Sequence, residues 1–309
     1  MSERPVEMLK EDLENGPKLV IGETELTFDF DDLDDYHRDK AEKELRETPE
    51  VVDESISELR AMLDEEEDFY LPVDDEFLKR FLRPCKWYPK SAFKLIKRFY
   101  RYRQNHPEFY ANLLPSNERE LLQSGCLTPV PRRSQDGVRM LVIEAGRKWN
   151  PKEVTLNQIF RGTICNLEVA VCEPKTQVSG VRVIIDMEGL SLGQVTYFTP
   201  SFASAIIEFV SRALPCRLKG VHIVNQSWVF DLVFAFFKPF LHGKLKDRIF
   251  FHNGDRSKIT DYIDAKALPK KYGGELEFPT NSLGDDYMRF SHNFDNYFTE
   301  TNKYGYLEE

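Results

Sequence analysis

The sequence contains few residues arranged for catalysis. It has no Gly-x-Ser-x-Gly nucleophile motif, no phosphate-binding loop ending in Gly-Lys-Ser/Thr and no Gly-x-Gly-x-x-Gly dinucleotide fingerprint. The loop at 189–193 follows a predicted strand, but it lacks the length and the lysine of a phosphate-binding loop. Asp186 ends that strand, yet no base or nucleophile stands near it in the sequence. We therefore expect a protein that is not an enzyme.

The histidines and cysteines do not have the spacing of a metal site. None of the six histidines stands at a metal-ligand spacing from another, and His222 lies within an apolar strand, where a hydrogen-bonded core histidine is expected. The five cysteines are odd in number and include no Cys-x-x-Cys pair. This pattern favours reduced, buried thiols over a disulfide framework or a zinc site. We expect no metal, no cofactor and a cytosolic location.

The most unusual chemistry in the chain is apolar. Residues 228–241 read WVFDLVFAFFKPFL, with five phenylalanines and one tryptophan, and the basic cluster HGKLKDR follows at 242–248. A membrane-spanning helix needs about 20 mostly apolar residues. The run is too short, and is interrupted by Asp231, Lys238 and Pro239. It must therefore be buried, lie on a membrane surface, or do each in turn.

Two further segments supply apolar side chains, and both are predicted to be helices. They span residues 155–172 and 200–214, each with an apolar face at helical spacing. Together with the aromatic run, they either pack tightly or enclose a large apolar cavity lined by aromatic and aliphatic side chains. Periodicity alone leaves both alternatives open.

Composition is typical of a globular protein. The 309 residues are 41% apolar and 30% charged, enough for one large or two modest domains. The net charge of −10 argues against a nucleic-acid partner, which requires an excess of basic residues on one face. No N-terminal stretch joins a basic region to an apolar core, so we expect no secretory signal.

The pattern along the chain divides it into four regions. Residues 1–38 are an acidic arm that we expect to be partly ordered, and residues 39–115 are an all-helical domain. Residues 116–279 are expected to form an α/β domain, and residues 280–309 an aromatic tail. Within the helical domain, Pro49 separates two helices, and Asp53 or Ser55 is predicted to cap the second.

The α/β domain is predicted from alternating strand and helix patterns. Short β-branched and aromatic runs occur at 139–145, 181–186, 221–224 and 249–252, and helical segments separate them, the last at 227–246. This alternation predicts βαβ units and a mainly parallel sheet. The fold class is therefore α/β.

Five motifs in order resemble the CRAL-TRIO lipid-binding proteins, in the branch of the α-tocopherol transfer protein, cellular retinaldehyde-binding protein and clavesins. They are F-L-K-R-F-L-R (77–83), V-R-V-I-I-D-M-E-G-L (181–190), G-V-H-I-V-N-Q (220–226), K-P-F-L-x-x-K-L-K-D-R-I-F-F-H-N-G (238–254) and L-P-K-K-Y-G-G (268–274). The resemblance covers about residues 45–279. It implies a helical domain, followed by a domain whose sheet forms the floor of an apolar pocket under a mobile lid helix at about 225–248.

The resemblance also implies which residues line the pocket and its lid. The pocket wall is expected to contain Phe160, Thr163, Leu167, Val181, Ile185, Leu192, Val210 and Leu214. Thr163 is the polar exception and would orient a ligand hydroxyl or carbonyl. The lid side chains are expected to be Trp228, Val229, Leu232, Val233, Phe236, Phe237 and Phe240. Some relatives carry a small polar residue at Leu167, so the ligand stays open among a tocopherol, retinoid, carotenoid, sterol and phospholipid.

Members of the transfer-protein branch bind phosphoinositide headgroups through a basic patch. The matching positions here are Arg217, Lys219, Lys244 and Arg248. Lys244 and Arg248 are four residues apart and would share a helix face, while Arg217 and Lys219 would share one side of an extended segment. The alternative is that they are solvated charges near acids such as Asp247. The family's arginine-rich turn after F-L-R departs here to R-P-C-K at 83–86.

The resemblance and the missing catalytic motifs together predict a non-enzymatic lipid-transfer protein. It would bind one small hydrophobic lipid, tocopherol- or retinoid-like, and exchange it at phosphoinositide-containing membranes. We expect it to be cytoplasmic and transiently membrane-associated. A second hypothesis is a phosphoinositide-binding adaptor in endosomal trafficking, with the acidic segment 24–36 binding a protein partner. A lipid-modifying enzyme is the third hypothesis.

Overall fold

The computed structural model describes residues 5–252, 256–279 and 283–307. Residues 1–4 of the arm, the final Asn-Gly of the 238–254 motif and residues 280–282 of the tail lie outside the described residues. The helices are α1 (Pro5–Asn15), α2 (Asp35–Leu45), α3 (Pro49–Asp64), α4 (Asp75–Leu82), α5 (Pro89–Asn105), α6 (Pro107–Tyr110), α7 (Arg119–Ser124), α8 (Leu156–Ala170), α9 (Pro174–Ser179), α10 (Leu192–Val195), α11 (Pro200–Glu208), α12 (Trp228–Phe237), α13 (Gly284–Ser291) and α14 (Asp295–Thr301). The strands are β1 (Val20–Ile21), β2 (Thr24–Glu25), β3 (Phe69–Tyr70), β4 (Leu127–Pro129), β5 (Arg139–Glu144), β6 (Val181–Asp186), β7 (Leu218–Val224), β8 (Ile249–Phe251) and β9 (Gly305–Tyr306).

A five-stranded sheet forms the centre of the α/β half, in the order β4-β5-β6-β7-β8. Strands β5 to β8 are parallel, and β4 pairs antiparallel with β5 at one edge. The predicted α/β class with a mainly parallel sheet is confirmed. Strand β4 was not predicted, because it has only three residues and ends in a proline.

Residues 39–115 are mostly helical, but they also contain the short strand β3, and the cap of α3 differs from the prediction. Helix α3 begins at Pro49, and the Thr48 side chain accepts a hydrogen bond from the Val51 amide at 3.4 Å. The predictions of Asp53 or Ser55 as the cap are therefore wrong. Proline is favoured in the first turn of a helix, where its missing N–H costs nothing, so the helix begins before those two residues.

Within residues 5–38, the N-terminal arm is packed against the body. Helix α1 packs against α14, and Leu9, Leu19 and Ile21 are fully buried. Asp29 forms an ion pair with Lys175 at 2.6 Å. The few buried apolar residues of the arm are widely spaced among acidic ones, so no periodicity indicated their burial.

The tail packs against the helical half. Its strand β9 pairs antiparallel with β3, and the Tyr306 ring stacks on Phe69 with centroids 4.4 Å apart. Tyr297 and Phe298 of α14 are buried. The tail therefore completes the core of the helical half.

One buried ion pair and a buried hydrogen bond join the helical half to the α/β half. Arg80 of α4 donates to Glu168 of α8 at 2.5 Å and to the Tyr297 hydroxyl at 2.9 Å. Arg83 donates to Gln177 of α9 at 2.6 Å. These bonds fix how the two halves meet, because each requires a particular geometry.

A further buried pair holds the arm against the sheet. Glu173, which is fully buried, accepts hydrogen bonds from Arg139 at 2.6 and 2.9 Å and from the Asp29 amide at 2.8 Å. Arg133 lies 2.8 Å from the same carboxylate. The Glu173 carboxylate therefore binds two arginines and the backbone of the arm.

Candidate functional site

An apolar cavity of about 240 Å³ lies between the sheet and helices α8, α11 and α12. Alternate residues of the parallel strands point into it, such as Val181, Val183 and Ile185 of β6, because strand side chains alternate between faces. Thr163 is the one polar residue in the described wall. An enclosed space with such a wall suits a hydrocarbon ligand.

Seven of the eight predicted pocket residues line this cavity. They are Phe160, Thr163, Leu167, Val181, Ile185, Val210 and Leu214. The structure corrects the eighth, because Leu192 is 54% exposed and lies outside the cavity. Leu192 is the first residue of α10, whose capping box between Ser191 and Gln194 fixes the start of the helix and leaves Leu192 facing solvent.

Several wall residues were not assigned from the sequence. They include Phe202, Ile206 and Phe209 from the α11 segment, and Val221 and Ile223 from β7. The signals were present, since the first three share one helix face and the last two stand at a strand spacing of two residues. A helix or strand pattern shows that a face is apolar, but it does not show whether that face packs tightly or lines a cavity.

Thr163 has limited hydrogen-bonding capacity left for a ligand. Its hydroxyl donates to the Ile159 carbonyl at 2.8 Å, one helical turn earlier. A hydroxyl has one donor and two acceptor positions. The Thr163 oxygen can therefore still accept a hydrogen bond from a ligand.

The lid begins with helix α12, but it is not one continuous helix as the sequence predicts. Helix α12 gives way to a 3₁₀ turn at Lys238–Phe240 and a second at Gly243–Arg248. The predicted single helix over 227–246 is therefore wrong. Pro239 removes a backbone donor that a continuing α-helix would need.

The lid presents different side chains to its two faces. Val233 and Phe237 line the cavity, together with Phe230 and Phe234, which were not predicted. The other predicted lid residues are placed as follows: Val229 is buried, Phe236 and Phe240 are half-buried, Trp228 is 65% exposed and Leu232 is 43% exposed. The lid is therefore apolar on both faces.

Helix α10, which lies beside the lid, also carries an exposed apolar side chain. Helix α10 packs against α12, and it begins at Leu192, while Trp228 and Leu232 lie one turn apart on α12. All three side chains are exposed. We call these three residues the outer patch.

Two left-handed residues bracket the lid segment. Asn225 has φ of 56° and Gly243 has φ of 53°. The Asn225 side chain donates to Asp186 at 2.7 Å, and the Tyr272 hydroxyl donates to the other oxygen of Asp186 at 2.9 Å. Asp186 was a catalytic candidate because it ends a strand. In the structure, its carboxylate accepts the hydrogen bond that holds the first end of the lid.

The predicted basic residues fall into two environments. Arg217 and Lys219 contact the carboxylate of Glu44 in α2, at 2.5 and 3.5 Å. Lys244 and Arg248 are exposed, and within residues 5–252, 256–279 and 283–307 no ion pair holds either one. Strand pairing places Val221 beside Ile249, so the preceding Arg248 lies next to Gly220.

The predicted shared helix face of Lys244 and Arg248 is wrong. Both residues belong to the 3₁₀ segment Gly243–Arg248. With three residues per turn, side chains four residues apart point about 120° away from each other. The two cations are close in sequence, but they point in different directions.

His222 and the thiols behave as core groups. His222 is fully buried and lies 2.9 Å from His252, nitrogen to nitrogen. Burial, with the nearby charge of His252, lowers the pKa of His222 to about 3, so the ring is neutral. Burial raises the pKa of Cys85 to about 11 and that of Cys216 to about 12. These thiols stay protonated and are poor nucleophiles.

The described residues contain neither a metal-binding cluster nor a membrane-spanning helix. No group of three or more His, Cys, Asp and Glu side chains there is arranged to hold a metal ion. No helix in that part of the chain has the length and apolar character to cross a membrane.

Comparison with known proteins identifies the family. A family model described as the CRAL/TRIO domain matches residues 123–274. The chain is 35% identical over 236 residues to "Alpha-tocopherol transfer protein-like" of Mus musculus, covering 76% of this chain and 68% of that protein. It is 32% identical over 259 residues to "Clavesin-1" of Rattus norvegicus, covering 81% and 73%. It is 31% identical over 241 residues to "Clavesin-2" of Homo sapiens, covering 77% and 73%. The predicted family is confirmed: the chain belongs to the CRAL/TRIO domain family.

Proposed function

We propose that this protein carries one small hydrophobic lipid in the cavity and exchanges it at membranes that contain phosphoinositides. The observation that carries the proposal is the cavity of about 240 Å³, closed by a lid that is apolar on both faces. Relatives named for α-tocopherol transfer support a role in lipid binding and transfer.

The cavity wall favours a ligand that is mostly hydrocarbon. Burial of apolar surface stabilises a complex by about 25 cal/mol per Å², and Thr163 is the single polar side chain in the described wall. Since its hydroxyl already donates to Ile159, it is best suited to accept from a ligand hydroxyl. A tocopherol- or retinoid-like alcohol fits this chemistry.

The lid provides a route for the ligand to enter and leave. Rings of α12 contact Phe251 of β8, with centroid distances of 6.0 Å for Phe230 and 5.1 Å for Phe234. Opening in water would expose these rings, whereas opening against a bilayer would transfer them to lipid. The outer patch would insert first, as apolar side chains of interfacial helices do. The membrane then favours the open state by differential affinity.

The exposed cations Lys244 and Arg248 would hold the anionic headgroup beside the lid, and Arg217 and Lys219 are the other two proposed contacts. A basic residue near an anionic membrane contributes about 1 kcal/mol. Arginine grips phosphate with two donors, and lysine adds a point charge. We propose that the protein is non-enzymatic, cytoplasmic and transiently membrane-associated.

The adaptor hypothesis has less support. Its proposed partner-binding segment, 24–36, uses Asp29 and Asp34 to pair with Lys175 of the same chain, at 2.6 and 3.2 Å. Those carboxylates would have to leave Lys175 before they could contact a partner. We therefore retain lipid transfer as the proposed function.

The test is transfer of a fluorescent tocopherol between vesicles, with acceptors that contain phosphatidylinositol bisphosphate. The Lys244→Ala/Arg248→Ala variant is expected to lose about tenfold or more in rate, since each cation contributes about 1 kcal/mol. The matched control is Lys90→Ala/Lys94→Ala, which removes two exposed cations from α5.

Two outcomes would contradict the proposal. One is a protein that takes up no tocopherol or retinol and yields no lipid on organic extraction. The other is a transfer rate that does not depend on anionic lipid in the acceptor vesicles. The first would remove the carrier function, and the second would remove the phosphoinositide step.

A further inference from the structure

Cations from both halves of the molecule meet at one carboxylate. Arg217 directly precedes β7, Lys219 is the second residue of that strand, and Lys40 belongs to α2. Glu44, one helical turn after Lys40, contacts Arg217 at 2.5 Å and Lys219 at 3.5 Å. Lys40 lies close enough to Lys219, Arg217 and Glu44 to be affected by their charges.

The positions of these cations are fixed by other contacts. Arg217 donates through its second terminal nitrogen to the Val178 carbonyl. Lys40 is buried and donates to the Asp136 carbonyl at 2.6 Å. Because these contacts are to backbone oxygen atoms, the cations are held in place without being neutralised.

Positive charge exceeds negative charge here. The charged side chains are those of Lys40, Arg182, Arg217 and Lys219, against those of Glu44 and Asp136. Asp136 pairs with Arg182 at 2.9 Å, which leaves three cations to share Glu44.

The protonation equilibria are consistent with this excess. Burial, and next the charge of Lys219, lowers the pKa of Lys40, while burial, and next the charge of Arg217, lowers that of Lys219. Burial acts to raise the pKa of Glu44, but the hydrogen bond from Arg217 and the cation charges hold it below its usual value. Glu44 is therefore ionised at neutral pH.

We infer that Glu44 occupies the anion site of Arg217 and Lys219 when no headgroup is bound, and that Lys40 completes this phosphate subsite. The inference rests on the proposed function for the identity of the anion, and it adds Lys40 and Glu44 to the residues that determine its binding. Glu44 is a competitor built into the chain. Its side chain is 39% exposed, so it can move into solvent when a stronger anion arrives.

A phosphomonoester is an anion of that kind. It carries a charge of about −1.5 to −2 at neutral pH and offers three acceptor oxygens, whereas a carboxylate carries one charge and two oxygens. Three cations therefore bind a phosphomonoester more strongly than they bind a carboxylate. Lipids that carry a single net charge gain less by displacing Glu44, so Glu44 makes the site select for phosphomonoester headgroups.

The experiment compares Glu44→Gln with Glu42→Gln, which removes the same charge from an exposed position of the same helix. Binding is measured to phosphatidylcholine vesicles that contain phosphatidylinositol bisphosphate, to vesicles of equal surface charge made with phosphatidylserine, and to soluble inositol trisphosphate. Glu44→Gln is expected to bind bisphosphate vesicles up to about fivefold more tightly, as expected for a partly exposed ion pair. The preference over phosphatidylserine is expected to fall, and Glu42→Gln to resemble the wild type.

A second variant tests the cation that α2 supplies. Lys40→Met keeps the aliphatic stem of this buried side chain and is expected to weaken binding several-fold. Tighter binding of soluble inositol trisphosphate by Glu44→Gln would mean that a free phosphate ester fills the subsite. Tightening on vesicles alone would mean that the lipid surface is required. Both results support the subsite.

The inference is overturned if Glu44→Gln binds every probe as the wild type does, or more weakly. This outcome is distinct from failure of the proposed function. If the proposed function failed, the wild type would not bind anionic vesicles. Glu44→Gln would still gain affinity for inositol trisphosphate if the subsite exists.

Discussion

The interface between the two halves and the lid are stabilised in different ways. At the interface, Arg80 and Glu168 form a buried ion pair, and Arg83 donates a hydrogen bond to Gln177. The lid contacts the sheet through rings such as Phe230 and Phe234. Among the hydrogen bonds of the described residues, none involves a side chain of α12.

This contrast indicates which part can move. Separating a buried ion pair leaves unpaired charge, which costs about 3–5 kcal/mol when one partner is lost. Separating apolar surfaces costs energy in proportion to their area, and that cost is offset if the surfaces meet lipid instead of water. We therefore expect the interface to stay fixed and the lid to open where an apolar surface receives it.

The largest expected effect is on the interface. Arg80→Ala removes one partner of the buried pair, and we expect a loss of about 3–5 kcal/mol in the free energy of unfolding. The measurement is urea denaturation. Arg60→Ala is the control, because Arg60 pairs with Asp75 at a partly exposed site and is expected to cost no more than about 1 kcal/mol.

A double variant separates loss of charge pairing from loss of packing. Arg80→Met/Glu168→Leu replaces both charges with apolar groups and is expected to be closer to the wild type than Arg80→Ala. Equal losses for Arg80→Ala and Arg60→Ala would contradict the idea that polar contacts fix the interface.

The next effect is on the pH dependence of stability. Although burial acts to raise it, the charges of Arg139 and Arg133 hold the pKa of Glu173 below its usual value of 4.5. A carboxyl with a lowered folded-state pKa stabilises the fold above its unfolded-state pKa. That stability is lost as the pH falls through the folded-state value.

We expect stability to fall below about pH 4.5, by at most about 1.4 kcal/mol per pH unit from this group. Glu173→Gln is expected to be less stable at neutral pH and to show a smaller slope in acid. Denaturation curves at a series of pH values test this. An unchanged slope in the variant would show that Glu173 does not contribute to acid sensitivity.

The smallest effect concerns the lid. Gly243→Ala introduces a Cβ that meets no atom within 4 Å, so its main effect is strain from the left-handed backbone, about 1 kcal/mol. The strain acts on the closed lid, and we expect release of bound fluorescent tocopherol to accelerate about fivefold. Stopped-flow fluorescence measures this rate.

Gly273→Ala provides a matched control outside the lid. Gly273 also has a left-handed φ, of 87°, and a Cβ there would lie 3.9 Å from the nearest atom, in Thr260. The backbone strain is similar, but we expect no change in the release rate. Equal acceleration by both variants would attribute the effect to general destabilisation.

Much of the fold was predictable because it depends on local patterns. The strand at 181–186 has a nearly continuous apolar run, and its bounds match β6. Seven of the eight pocket positions that the resemblance implied line the cavity. The strand follows from side-chain periodicity, whereas the pocket positions follow from the family resemblance.

Other features depend on contacts between distant parts of the chain. The arm is ordered by Glu173 and Lys175, far away in sequence. Leu192 faces solvent because a capping box sets the start of α10. The contacts of Glu44 with Arg217 and Lys219 join α2 to β7. Such contacts leave no local pattern, so the sequence alone did not predict them.

The pairing of β3 with β9 has a consequence for how the molecule is made. During synthesis from the amino end, the ribosome completes α3 to α5 and the whole central sheet before it makes Tyr306. Until then, Phe69 lacks the ring on which it stacks in the finished structure. Contacts between residues so far apart in sequence form slowly. The nascent helical half therefore leaves the Phe69 ring without its stacking partner until β9 has been made, as expected of an incompletely packed folding intermediate.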